Sequence, residues 1–158
     1  MTGRIFAVPF TISHTTAQVD AVEISPADDK PVDLVGLCIN QYGVSDIGDA
    51  AEELLRWSVI RGHTTGGSGG STTTPSPIKP SSGAAGFAAE TGNTTIASAG
   101  TTVTLHDDAF NVRAGMAFWW PEDTEPQAAQ GNTTMVIRLA AAADAITLVG
   151  TAYLRELG

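Results

Sequence analysis

Phe6-Ala7-Val8-Pro9-Phe10-Thr11-Ile12 carries a large apolar side chain at nearly every second position. A period of two is that of a β-strand with one buried face, because successive side chains point to opposite sides of a sheet. Pro9 has no amide hydrogen to give a neighbouring strand, which places this strand at an edge. The pattern recurs downstream. Residues 19–24 alternate with a change of phase between Ala21 and Val22, as a bulge requires. Ser25-Pro26-Ala27-Asp28-Asp29-Lys30-Pro31 reads as a turn, and residues 32–39, apolar on both faces, read as a central strand. Leu55, Trp57 and Val59 mark another strand, as do Thr101, Val103 and Leu105, then Phe110 and Val112, then Met116, Phe118 and Trp120, then Met135, Ile137 and Leu139. Residues 146–154 form the last. Residues 41–53 read as a loop or one helical turn, and the alanine run 140–145 as a connection.

Eight or nine short strands without a long helix predict an all-β fold: an antiparallel two-sheet sandwich, jelly-roll-like, since that is how antiparallel sheets hide one face. At 158 residues the chain reads as one domain over 1–158. Residues 62–92 interrupt the pattern, being almost wholly Gly, Ser, Thr, Pro and Ala. Such a segment has too little apolar surface to offset its chain entropy. It is therefore expected to be an extended loop or arm that orders against a neighbouring subunit, with Ile78 and Phe87 as anchors. Gly92-Asn93-Thr94-Thr95 recurs as Gly131-Asn132-Thr133-Thr134, which reads as one turn used twice.

Seventeen acidic against eight basic residues give a net charge of −9, which repels phosphate backbones and anionic membranes, so neither nucleic acid nor membrane is an expected partner. Charged residues are only 16% of the chain, so small polar and apolar groups must cover much of the surface, as suits packing against other subunits. No stretch approaches the length of a membrane span, and the first residues show no secretion signal. Cys38, the single cysteine, lies in the apolar run 35–39 and reads as a small buried hydrophobe.

The residues of chemistry do not assemble into a motif. The glycine-rich tract 66–71 is not followed by the lysine that a phosphate loop needs. His14, His63 and His106 are too widely spaced for a short zinc module, and His106-Asp107-Asp108 reads as a turn whose carboxylates bind nearby amides. Gly-x-Ser-x-Gly is absent. No catalytic, cofactor-binding or metal-binding residue is assigned, no cofactor is expected, and the chain reads as a binding or assembly module rather than an enzyme. In Phe118-Trp119-Trp120, strand geometry turns Trp119 away from its neighbours, as an anchor for a partner or a stacking surface for a sugar.

Several stretches carry a resemblance. Arg4-Ile5-Phe6-Ala7-Val8-Pro9-Phe10, Pro26-Ala27-Asp28-Asp29-Lys30-Pro31, Arg61-Gly62-His63-Thr64-Thr65-Gly66-Gly67-Ser68-Gly69-Gly70 and Gly150-Thr151-Ala152-Tyr153-Leu154-Arg155-Glu156-Leu157 resemble small β-rich virion structural proteins of tailed bacteriophages. The resemblance implies a capsid decoration or cement protein, made in the host cytoplasm, carried in the virion and bound to the major capsid protein. A homo-oligomer is expected, a trimer by preference, since shell symmetry supplies three-fold positions. Ile78, Phe87 and Trp119 are the expected contact residues. The alternatives are a tail or neck component, and a carbohydrate-binding β-sandwich that uses Trp119.

Overall fold

A computed structural model describes residues 3–43, 52–128 and 132–158. Twelve strands follow one another: β1 Arg4–His14, β2 Val19–Ser25, β3 Val32–Gln41, β4 Leu54–His63, β5 Ser71–Thr73, β6 Ser76–Pro77, β7 Ala88–Asn93, β8 Val103–Asn111, β9 Met116–Trp119, β10 Gln127–Ala128, β11 Thr134–Leu139 and β12 Ile146–Glu156. Most of residues 41–53 lie outside the described residues.

All strand pairs are antiparallel, and they nest. β4 pairs with β8, β3 with β9, β2 with β11, and β1 with β12. Cross-pairing of β12 with β3 and of β11 with β4 joins these into two sheets, β1-β12-β3-β9 and β2-β11-β4-β8. The chain alternates between the two sheets along each limb of this nest, which is the double Greek key of a jelly roll. The remaining strands widen this frame. β6 borders β1, β10 shares the outer edge of β3 with β9, and β7 then β5 extend the second sheet beyond β2.

The alternation read from the sequence fills the space between the sheets. Phe6, Val8, Phe10 and Ile12 from β1 meet Leu37 and Ile39 from β3, Leu55, Trp57 and Val59 from β4, and Leu148, Ala152 and Leu154 from β12. Trp57 is among the largest fully buried side chains. The phase change expected in β2 is a bulge at Ala21: Ile137 stands opposite Val22 and Arg138 opposite Asp20, with Ala21 unpaired between them. Pro9 sits where β1 has passed the short strand β6, so its missing amide breaks no ladder on that side.

Three expectations are corrected. Residues 62–92 fold on their own domain rather than standing out as an arm. β7 is a strand of the second sheet, and Phe87, 5% exposed, meets Phe6 edge to face at 5.5 Å. Polar contacts supply the stabilisation that apolar surface does not. The Gly67 amide donates to Glu23, Gly70 to Asn93 Oδ1, and Ala97 to Asp20; Asn93 Nδ2 donates to both Glu23 and Glu90. At the other end, Arg4 donates to the Ser82 and Ala84 carbonyls, while Glu156, ion-paired with Arg4, accepts from the Gly86 amide. Buried polar groups matched in this way order a segment that a hydrophobicity argument leaves free. The repeated Gly-Asn-Thr-Thr is not one turn used twice. Asn93 is a buried strand residue, whereas Asn132 is exposed with φ 59°, and Gly131 lies outside the described residues. His106-Asp107-Asp108 lies within β8 rather than in a turn: Asp107 pairs across the ladder with Arg56, and only Asp108 bonds a nearby amide, that of Ala109.

Two measurements follow from the ordered insert. Phe87→Ala is expected to lower unfolding stability by about 3–5 kcal/mol, as for a buried core phenylalanine, and to open residues 62–92 to limited proteolysis; an arm with no place in this domain would show neither effect. Burial also holds the Glu23 carboxyl above its ordinary range, against the opposing pull of the Gly67 amide and Asn93. Between the ordinary and the raised value the folded chain binds more protons than the unfolded one, so this group's contribution falls as pH rises through that window. Glu23→Gln keeps an acceptor and removes the charge. It is expected to raise the melting temperature near neutral pH in calorimetry, with the gain fading as pH falls through that window and absent below the ordinary glutamate value of about 4.3.

Candidate functional site

The outer faces of the two sheets differ in chemistry. On the second sheet the insert lies against Glu23, and the part left open mixes ion pairs with apolar groups, Arg138 bound to Asp20 and Arg56 to Asp107 on strands that also expose Leu54 and Val103. The first sheet has no such cover. Because β1, β3, β9 and β12 bury alternate residues, the intervening ones form rows across the outer surface. Ala7, Tyr153, Gly36 and Trp119 are successive ladder partners, and Pro9, Thr151, Cys38 and Ala117 make the next row. Beyond them Thr11, Val149 and Asn40 continue the surface. None of these residues is charged. Among the described residues charge returns at one end of this face, where Arg155 pairs with Glu125 and Asp33 accepts from the Gln127 side chain.

Trp119 stands out from this face at 55% exposure, with its ring stacked on Tyr153 at 4.9 Å and an interplanar angle of 30°. Gly36 lies between their strands, and a Cβ there would collide with the indole. The absent side chain lets the indole lie close to the backbone and hold its stacking partner. Phe118 and Trp120, on the other side of the same strand, pack inward with Trp57 around His106, whose ring centroid lies 4.8, 5.5 and 4.6 Å from theirs. The expected division of this aromatic triplet is the observed one.

The three expected contact residues are not brought together. Trp119 lies on the β9 edge of the first sheet and Ile78, 52% exposed, follows β6 at the opposite edge, where its amide donates to the Ile5 carbonyl. Phe87 is corrected to a core residue, unavailable to a partner. It instead floors an apolar hollow of about 510 Å³ walled by Pro75, Pro77 and Pro80. Cys38 is corrected as well. It is half-buried and faces outward, because the run 35–39 is apolar on both sides, one lining the core and the other this surface. Sequence reading missed Tyr153 and Gly36. Tyr153 falls in the last strand read from the sequence, but only the register of three strands sets it beside Trp119.

Among the described residues, no three His, Cys, Asp or Glu side chains gather as a metal site. The histidines serve the fold: His14 Nε2 donates to the Ala140 carbonyl at 2.7 Å, and burial holds both His14 and His63 below the ordinary imidazole range. No helix of the described chain is long and apolar enough to cross a membrane.

No protein-family model matches the chain, and no curated protein matches it in sequence. Among solved structures it is similar to a mutant VP2 protein of infectious bursal disease virus, described with derived T=1 particles, at 10% identity and a TM-score of 0.20. That match covers 96% of this chain and 40% of the VP2 chain, a likeness that carries no argument about fold or function.

The difference in burial between Trp119 and Trp57 has a measurable signature. In dilute solution Trp119→Ala is expected to cost about 1 kcal/mol, the worth of the ring pair, whereas Trp57→Ala costs about 3–5 kcal/mol; urea unfolding of the two variants separates them.

Proposed function

We propose that this chain is a non-enzymatic structural protein of a virus particle, a decoration or cement protein of a tailed-phage head bound in many copies beside the major capsid protein. The observation that carries the reading is the uncharged outer face of the first sheet, with the fixed Trp119–Tyr153 pair on it, in a chain of net charge −9. Open surface of this kind on an otherwise acidic domain marks a contact site, and pre-stacked aromatic rings lose little freedom on docking. Strand addition at the β6 edge is discouraged by Pro75 and Pro77. The virion context comes from the resemblance in sequence.

A carbohydrate-binding module is the second reading. The same ring pair stands one strand step from a cleft of about 460 Å³ lined by Glu122, Glu125 and Arg155, since Tyr153 and Arg155 leave β12 on the same side. One pair of sedimentation experiments decides between them. The proposed protein co-sediments with phage heads that lack it, saturates at a fixed copy number and raises the temperature at which the heads open. Retention on insoluble polysaccharide without head binding would transfer the assignment to the second reading.

A further inference from the structure

We infer that the outer face of the first sheet is where copies of this chain meet one another. The inference rests on the reading of the chain as an assembly protein and names the partner of that face. Electrostatics narrows the choice. Two copies each of net charge −9 repel, and contact through the second sheet has to take the exposed Arg56–Asp107 ion pair and Glu90 out of water, at a desolvation cost the first sheet does not carry. The rows from Ala7 to Trp119 and from Pro9 to Ala117 bring no carboxylate into such a contact. A surface without charge is best matched by another without charge, and the chain presents that surface itself. The contact is bounded at one end by the Arg155–Glu125 pair and Asp33, which stay at the rim where water still reaches them.

Geometry agrees with this choice. Sheet faces pack on one another about 10 Å apart when their side chains are short, and Ala7, Pro9, Thr151, Cys38 and Ala117 are all short. Trp119 and Tyr153 rise above them as a single block at one side. A second copy that covers this block buries the largest exposed aromatic group of the described chain, as interface centres do.

The native chain carries its own probe. Cys38, the single cysteine, lies half-buried in the second row. Its reaction with a thiol reagent is expected to slow as chain concentration rises through the assembly range, in step with the mass read by light scattering. Ala117→Lys, at an exposed position, and Thr151→Arg place a charge in the same row. Each is expected to weaken self-association by about 30-fold or more, with the circular dichroism spectrum unchanged. Thr72→Arg, on β5 of the other sheet, should assemble as the wild type does. A wild-type chain that stays monomeric to submillimolar concentration overturns the inference. So does an oligomer whose Cys38 reacts at the monomer rate, or a folded Ala117→Lys chain that assembles unchanged. A monomer that still binds phage heads removes this inference and leaves the proposed function standing, whereas an oligomer closed through this face that binds no head does the reverse.

Discussion

The pairing of β1 with β12 is the constraint on which the rest of the molecule depends. It runs without a break from Arg4 opposite Glu156 to His14 opposite Ile146, joining the two ends of the chain. Every other long-range pair of the nested set lies inside it, so the topology closes only when the ends meet. The same register sets Arg4 beside the buried Glu156, and that ion pair in turn holds the Ser82, Ala84 and Gly86 backbone. It also puts Ala7 and Pro9 level with Tyr153 and Thr151, which begins the rows of the outer face. One ladder thus serves the core, the insert and the contact surface. Such closure demands contacts between residues distant in sequence, the slow-folding kind.

The insert shows how a segment poor in apolar groups is ordered. A carboxylate taken from water is costly unless it is well bonded, and here Glu23 and Glu156 each accept a backbone amide of the insert, and Asp20 accepts that of Ala97 just beyond it. Asp20 is further held by Arg138, whose guanidinium also reaches the Ala97 carbonyl. These partners are spread over both sheets, so the insert is tied at each end, and Phe87 adds an apolar plug beside Phe6. The glycines let the ribbon lie against the sheet: Gly69, at φ 85°, takes a backbone shape other residues avoid. The insert thus lies against part of the second sheet and leaves the outer face of the first sheet open.

Unlike β5, β6, β7 and β10, the strands of the nested frame were legible in the sequence, as were the inward or outward sense of most of their apolar side chains, the bulge in β2 and the class of fold. They follow from local periodicity, which a strand imposes on any chain that buries one face. The split of Phe118 and Trp120 from Trp119 was legible for the same reason. Two kinds of information were not. Which strands lie side by side is a matter of register between distant segments, so the meeting of Tyr153, Gly36 and Trp119 belongs to the tertiary structure alone. Whether a Gly, Ser, Thr and Pro segment is ordered depends on buried acceptors supplied by other strands. Composition counts the apolar surface such a segment lacks, and only the folded chain shows the hydrogen bonds it gains.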